Sequence, residues 1–600
     1  MLENVAASLI EPTIEGNLAE TVVRNAAKTP QQVAFSKRSG AGWSDVTAAQ
    51  FKRDVDGLAK GLIAAGIDRG ERVALMCRTR YEWTLVDYAV WTAGAVTVPI
   101  YETSSADQIA WILEDSGARA IVVESPAHAA SVALVHDRVA GLKDVWQIDG
   151  GALAELAETG SDVSDGELEA RRASTNRQSL ATIIYTSGTT GRPKGCELTH
   201  GNFKDLAENA YEKLSVILRA EGASTLLFLP LAHVFARFIE VLCVESNARM
   251  GHSADIKTLL DDLSSFKPTF ILAVPRVFEK IYNSADQQAT GDGKGRIFGV
   301  AAKVAISWSQ ALDTRSASLP LRVQHAIFDR LVYAKIRAAL GGNVQYAVSG
   351  GAPLGTRLGH FFRGVGVTVL EGYGLTETTA PATFNTPLKV KIGTVGPPMP
   401  GVGIRIAEDG EILIKGVNVF VGYHNNPKAT AEAIRDGWFH SGDMGELDAD
   451  GFLKITGRKK EILVTAGGKN VAPAVLEDRL RAHSLVSQCI VVGDQRPFIA
   501  ALITLDDEML PNWAKSHGLP GLTMEQARTN PAVAAELDKA VADANSAVSK
   551  AESIRKYVVL AGDFTEENGY LTPSLKLKRN IVMRDFADDV EGLYATAKDH

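Results

Sequence analysis

Between Tyr185 and Gly195 the chain reads Tyr-Thr-Ser-Gly-Thr-Thr-Gly-Arg-Pro-Lys-Gly, and eight of these eleven residues are Thr, Ser, Gly or Lys. Small residues let backbone amides approach a phosphate closely, hydroxyls add donors, and a lysine adds a point charge. Thr186, Ser187, Gly188, Thr189, Thr190, Gly191 and Lys194 therefore read as a nucleotide phosphate loop. It is not a Walker loop, which ends Gly-Lys-Ser/Thr, whereas this one ends Pro193-Lys194-Gly195. A flexible surface loop is the alternative. Such a loop has less need of so many small residues between an apolar strand and Arg-Pro-Lys-Gly.

Further along lies Glu371-Gly372-Tyr373-Gly374-Leu375-Thr376-Glu377-Thr378. A hydroxyl beside a carboxylate suits one group touching an α-phosphate and the other holding Mg²⁺, which prefers carboxylate and phosphate oxygens. Thr376 reads equally as a helix N-cap. Tyr373 suits stacking on a base or anchoring a packed loop. In His440-Ser-Gly-Asp443, an ionised carboxylate could accept both ribose hydroxyls, or serve as an ordinary turn aspartate. His233, two residues before Phe235 in an apolar segment, has a structural reading beside any functional one.

These residues need elements to hold them. Between about residues 50 and 200, short β-rich runs (72–77, 95–101, 118–123) alternate with segments of helical period such as 51–65, the rhythm of layered α/β structure. The phosphate loop is expected to join a strand ending at Tyr185 to a helix beginning near His200. Residues 160–176 read as a surface connection. A mostly helical block is expected over 275–340, broken at Gly291–Gly295 and Pro320, as an insertion or lid. From about 393 the texture is antiparallel β, with Asp-Gly turns at 409–410 and 450–451. Beyond 457 a smaller unit is expected, with a helix near 474–483, strands near 488–492 and 499–505, and a polar helical stretch to about 556.

The chain has 600 residues, 46% hydrophobic and 22% charged, so it affords several soluble globular units. A net charge of −8 argues against a nucleic-acid partner. Cys77, Cys196, Cys243 and Cys489 show no CxxC spacing and read as buried small hydrophobes. An acidic N-terminus and the lack of a long apolar run point to a cytoplasmic protein, with peripheral membrane contact left open.

The loop resembles the signature of the adenylate-forming superfamily of acyl-CoA synthetases, peptide-synthetase adenylation domains and beetle luciferases. Other blocks follow in the family's order: Leu229-Pro-Leu-Ala-His233-Val-Phe235, Ser349-Gly350-Gly351-Ala352-Pro353-Leu354, Tyr373-Gly374-Leu-Thr376-Glu377, His440-Ser-Gly-Asp443 and Thr456-Gly-Arg458-Lys-Lys460-Glu461. The resemblance runs from about Glu15 to Met583 and is closest to long-chain fatty acid:CoA ligases.

It implies an α/β fold: an N-terminal domain of layered α/β subdomains over 1–457, with its β-rich part at about 393–457, and a small mobile α+β C-terminal domain over 458–600. ATP, Mg²⁺, coenzyme A and a fatty acid are the implied ligands. Lys194, Thr376 and Glu377 would act at the phosphates, with Glu377 on the metal. Gly350 to Pro353 and the Glu371–Gly374 run would bind the adenine side of the nucleotide, and Asp443, Ile455 and Arg458 its ribose side. His233 and Phe235 would line the acyl pocket, and Lys460 would be the hinge. Gly467, Gly468 and Lys469 would line a pantetheine channel after rotation, although a plain β-turn reads as well. This chain has Ser574-Leu575-Lys576 where many relatives carry Gly-Lys, so the family's late catalytic lysine falls on Lys576 or Lys578, with Lys576 preferred. The loop at 185–195 is expected to move as pyrophosphate leaves. A ligase loading a carrier protein with acyl-AMP, or a non-catalytic lipid- or nucleotide-binding relative, stays open. So does a homodimer.

Overall fold

The computed structural model describes residues 2–40, 42–186, 192–314, 316–572 and 576–595. Ser187, Gly188, Thr189, Thr190 and Gly191, and with them the expected motion of the phosphate loop, lie outside the described residues.

Five parallel strands, Arg72–Met76, Val96–Ile100, Ala118–Val123, Asp144–Gln147 and Leu180–Thr186, form most of a seven-stranded sheet. Their continuous apolar runs suit burial on both faces. Leu180–Thr186 then pairs antiparallel with Lys194–Thr199, and that strand with Gly422–Tyr423. The phosphate loop is thus the connection of a β-hairpin, not of a strand to a helix. The helix His200–Lys213 starts only after the second strand, capped by Thr199. Residues 160–176 also differ from expectation: Ser164 caps a helix Asp165–Arg172 that buries Leu168 and Arg172. Two buried residues four apart were too little apolar signal to read as a helix.

A second sheet carries Phe270–Ala273, Tyr346–Ser349 and Thr368–Leu375 in parallel, closed by antiparallel Ala380–Phe384. The helical block divides as foreseen into Pro275–Gly291, Gly295–Thr314 and Leu319–Phe328, and then passes through a π-helical turn, Asp329–Tyr333. The β-rich part is a six-stranded antiparallel sheet, one edge of which is Glu3–Val5 from the far N-terminus. Its last strand, Leu453–Arg458, still pairs with Trp438–Leu447 through Arg458.

Beyond Lys460 a separate apolar cluster gathers Leu476 of the helix Pro473–Arg481, Cys489 and Ile503 of an antiparallel strand pair, and Leu537 of the helix Pro531–Asn545. The polar stretch expected to stay helical to 556 turns into a strand at Ile554–Val559, which pairs parallel with Ile499–Leu505. Its run Ile-Arg-Lys-Tyr-Val-Val buries Ile554 and Val559 at its ends and leaves Arg555 exposed, as suits a half-buried edge strand. All four cysteines are buried and free. Among the described residues, no helix is long and apolar enough to cross a membrane.

Candidate functional site

One cleft of about 3330 Å³ runs between the two sheets, the β-rich part and the C-terminal unit. At one wall the hairpin sets Thr186 opposite Lys194. Lys194 Nζ stands 4.7 Å from the centre of the Tyr423 ring, and the Tyr423 hydroxyl donates to Glu377 Oε1 at 2.8 Å. Tyr423 thereby ties the phosphate hairpin to the Thr376–Glu377 turn. Burial, and then the Glu377 carboxylate, push its hydroxyl pKa up, so it stays a donor. No motif in the sequence singles out Tyr423; its role comes from the short strand that lays Gly422–Tyr423 along Cys196–Glu197. On the loop's other side, Trp111 Nε1 donates to the Pro193 carbonyl at 2.9 Å while the Arg192 guanidinium lies over the Trp111 ring.

Thr376 is not an N-cap. Leu375 takes that position ahead of the short 3-10 turn Thr376–Thr378, and Thr378 Oγ1 reaches back to accept from the Leu375 amide at 2.8 Å, so Thr376 is left to line the cleft. Directly behind the turn, Thr379 (φ 53°) and Ala380 (φ 75°) both take left-handed backbone. Such conformations cost non-glycine residues about 1–3 kcal/mol each. Thr379 Oγ1 is anchored on the Asn418 carbonyl at 2.8 Å, and the Phe420 amide donates to the Glu377 carbonyl at 2.9 Å. Gly374 is required here, since a Cβ would lie 1.6 Å from the Ala380 carbonyl oxygen.

Asp443 sits within the strand Trp438–Leu447 rather than in a turn, and is buried. Gly442, at φ 72°, bends the strand so that the carboxylate faces the cleft. Tyr373 Oη donates to Asp443 Oδ2 at 2.7 Å and Arg458 Nε stands 3.0 Å from Oδ1. Gly350, Gly351, Ala352, Pro353, Glu371, Gly372 and Ile455 line the same stretch of cleft. Glu371 is the unusual member: burial pushes its carboxyl up to about 7, and the Leu354 amide, 3.3 Å from Oε2, opposes the shift.

Lys576 reaches this site from the C-terminal unit. Enclosure by the cleft lowers its pKa first and the Arg458 charge lowers it further, while Asp443, Glu377 and Glu461 work the other way. Its side chain also meets solvent at the open cleft, so water moderates the enclosure. Lys578 lines the cleft too, but stands at the N-cap of the helix Arg579–Asp585, and its amide is bonded to the Tyr570 carbonyl at 2.8 Å. Lys460 lies exposed at the cleft edge, in the turn that follows Arg458. Gly467, Gly468 and Lys469 form a turn between the two-residue strands Leu463–Val464 and Asn470–Val471, outside the cleft lining. Lys469 Nζ stands 3.5 Å from Glu552 there.

At the inner end His233 serves two ends at once. Its Nδ1 accepts from the Phe235 amide at 3.2 Å and caps the helix Val234–Ser246, which leaves the ring proton on Nε2. Enclosure first, then the Lys576 charge, lowers its pKa to about 3, so the imidazole is neutral. Beyond His233 and Phe235 an apolar arm continues, with Phe238, Ile239 and Leu242 on one side and Val277, Ile281 and Ala285 on the other.

One cleft thus brings together Thr186 of the hairpin beside Lys194, a carboxylate held by Tyr373 and Arg458, and Lys576 from the C-terminal unit. The family profile of AMP-binding enzymes matches residues 22–424 and that of the AMP-binding enzyme C-terminal domain matches 460–598. The chain belongs to this family of adenylate-forming enzymes. It is 51% identical to long-chain-fatty-acid–CoA ligase FadD15 of Mycobacterium tuberculosis, over 96% of this chain and 97% of the relative. It is 33% identical to long-chain-fatty-acid–CoA ligase 6 of Mus musculus, over 87% and 78% respectively. Its fold resembles that of the A domain of carboxylic acid reductase from Segniliparus rugosus, with a TM-score of 0.74 at 22% identity, covering 97% of this chain and 94% of that one.

Proposed function

We propose that this chain is a long-chain fatty acid:CoA ligase, which joins a fatty acid to AMP with release of pyrophosphate and then passes the acyl group to coenzyme A. The observation that carries the reading is the apolar arm opening at His233 from the same cleft that holds Asp443 and Lys576. A saturated chain fills such an arm by apolar burial, at about 25 cal/mol per Å².

In the first step a carboxylate oxygen attacks the α-phosphorus of ATP and the bond to pyrophosphate breaks. Charge spreads over the phosphoryl oxygens, so catalysis is mainly positioning and cationic stabilisation. Lys576 supplies the charge at the α-phosphate and carboxylate, and its position among Asp443, Glu377 and His233 supports that role over Lys578. Neutral His233 offers its Nε2 proton to the acyl carboxylate. Thr376 meets the α-phosphate, and Lys194 with the hairpin hydroxyls meets the outer phosphates. Asp443 takes the ribose hydroxyls on its remaining lone pairs, held by Tyr373 and Arg458.

Glu377 fits a magnesium ion: Tyr423 occupies Oε1 and leaves Oε2 for a cation. Among the described residues no cluster of three or more His, Cys, Asp or Glu could hold a metal alone. Magnesium suits such a set, since it takes one or two carboxylates and fills its shell with phosphates and water. Bound there, it would neutralise charge on the phosphates.

In the second step the thiol of coenzyme A attacks the acyl carbonyl, the carbon–sulfur bond forms and AMP leaves. Lys576 occupies the space near the adenylate, so the C-terminal unit must turn about Lys460 to admit the thiol, carrying the Gly467–Lys469 turn from outside the cleft toward it. Incubation with ATP, Mg²⁺, CoA and fatty acids of graded length, following AMP and thioester, tests the reading. Equal release of AMP and thioester, best with long chains, is expected. Acyl-AMP accumulating with no CoA thioester would favour the carrier-loading ligase, and no AMP from any carboxylate would sink the CoA-ligase reading.

A further inference from the structure

The bend that presents Asp443 is an irregularity in the β-rich sheet, and side chains make it good. Between the strands Glu411–Gly416 and Trp438–Leu447, Leu413 faces His440 and Glu411 faces Met444. Ser441, Gly442 and Asp443 therefore stand opposite Ile412 alone, and the Ile412 carbonyl is taken by the Ser441 hydroxyl at 2.6 Å. A backbone amide inside a sheet needs an acceptor. For Gly442 it comes from a side chain: Glu411 Oε1 takes the Gly442 amide at 2.9 Å.

The same carboxylate closes a ring. Its Oε2 is 3.1 Å from Lys459 Nζ, and the Lys459 amide donates back to the Gly442 carbonyl at 2.9 Å. Gly442 is thus held at both its amide and its carbonyl, in the left-handed conformation (φ 72°) that turns Asp443 to the cleft. Glu411 is buried. Burial works to raise its pKa, but the Lys459 ammonium and the Gly442 amide more than offset this, so the carboxyl stays ionised. Lys459 is half exposed and keeps a second partner, Asp409 Oδ2 at 2.5 Å.

Two neighbours give the ring its consequence. Asp443 follows Gly442, and Lys460, about which the C-terminal unit turns in the reading above, follows Lys459. An acyl-adenylate has to stay seated while that unit turns one residue away, so a stiff support for Asp443 has a purpose there. We infer that Glu411 and Lys459 are positioning residues for the nucleotide ribose, which act through Gly442 to hold Asp443 in its aim. Neither touches the nucleotide in this account. The inference rests on the ribose reading of Asp443, and binding is measured apart from turnover so that the two can fail separately.

Calorimetric titration of the full chain with AMP and with 2′-deoxy-AMP gives a ratio of Kd values that reads the ribose contact. A general loosening of the fold weakens both nucleotides alike and leaves the ratio unchanged. The parent chain is expected to prefer AMP about tenfold or more, as suits a hydrogen bond to a charged acceptor. Glu411→Ala should cut that preference about fivefold and Lys459→Met about two- to threefold, whereas Glu411→Gln, which keeps an acceptor for the Gly442 amide, should cut it less than about twofold. In an Asp443→Ala background none of the three should move the ratio further. Melting curves set a temperature at which every variant is folded, and if Glu411→Ala does not fold, Lys459→Met decides. An unchanged preference in Glu411→Ala or in Lys459→Met overturns the inference, as does a further fall when either is added to Asp443→Ala. A parent chain that binds both nucleotides alike overturns the ribose reading and this inference with it. A parent chain that shows the preference yet releases no AMP from ATP with any carboxylate counts against the ligase reading alone, and the Kd ratios of the variants still decide this one.

Discussion

The Tyr373 hydroxyl donates to Asp443 Oδ2 at 2.7 Å, while Arg458 Nε stands 3.0 Å from the other oxygen. The carboxylate is thus aimed into the cleft ahead of any ligand. Burial and the Asp443 charge in turn push the Tyr373 pKa up, so the phenol remains a donor. Removing the acceptor by Asp443→Ala is expected to raise KM for ATP roughly 10- to 100-fold, the range for hydrogen bonds to a charged group at about 1.5–3 kcal/mol. Tyr373→Phe keeps the ring and loses only the aim, so its effect should be several-fold. Initial-rate kinetics with ATP varied at saturating fatty acid would check both, and an unchanged KM in Asp443→Ala would remove it from the ribose site.

Lys576 and Lys578 can be separated by half-reactions. Lys576 shares the cleft with Asp443, Glu377 and His233, whereas Lys578 begins a helix. Lys576→Ala is expected to slow adenylation about 10²- to 10³-fold, the cost of losing one preorganised donor to developing charge. Thioester formation from supplied acyl-AMP should fall less than threefold. Lys578→Ala should leave both nearly intact. The reverse ranking would move the catalytic lysine two residues on.

Much of this site was legible because its chemistry is local. A hydroxyl-rich loop, a Thr-Glu pair and an aspartate among small residues are each readable within a few positions, and the helical block broke at Gly291–Gly295 and Pro320 as its composition implied. What the sequence hid was partnership at long range. Nothing near Tyr423 says that it lies against Cys196 and reaches Glu377, because that contact depends on a two-residue strand. The hairpin at 180–199 was hidden for the same reason: Lys194–Thr199 carries a lysine, a glycine and a glutamate in six residues, too weak a β pattern to stand out until Leu180–Thr186 pairs with it. Asp443 was read in a turn because Gly442 looks like one locally, yet the strand continues through it by left-handed glycine geometry.

Glu371 gives a pH prediction. Its folded pKa of about 7 lies above the ordinary carboxyl value of 4.5, because burial disfavours the charged form. The folded state therefore binds more protons than the unfolded one between those values. The stabilising contribution is complete below about pH 4.5 and is lost as pH rises through about 7. At about 1.4 kcal/mol per unit, the loss is on the order of 3 kcal/mol. Glu371→Gln keeps an acceptor for the Leu354 amide but cannot ionise. The variant should gain stability over the parent on going from pH 5 to pH 8, read in denaturant melts at constant ionic strength. A parallel pH dependence in the two proteins would show that Glu371 does not titrate in this window.

The helix Pro275–Gly291 offers a way to bias the C-terminal unit. One side, through Val277, Ile281 and Ala285, lines the acyl arm. The other reaches across: Arg276 Nη2 meets Asp506 Oδ2 at 2.9 Å and Lys280 Nζ meets Glu508 at 3.0 Å. The first pair is mostly buried, while the second is open to solvent, where such pairs are worth little. Burial raises the Asp506 pKa and Arg276 holds it back, so removing the guanidinium leaves a desolvated acid without its partner. Breaking a fully buried pair costs about 3–5 kcal/mol, and partial exposure of Arg276 reduces that to roughly 2. Arg276→Ala should therefore loosen the arrangement that places Lys576 in the cleft and slow adenylation roughly tenfold or more. Thioester formation from supplied acyl-AMP, which needs Lys576 withdrawn, should hold or rise. Lys280→Ala should change neither half-reaction by more than about twofold. If Arg276→Ala slows both half-reactions equally, the Arg276–Asp506 pair supports the fold of the helix and does not govern the position of the C-terminal unit.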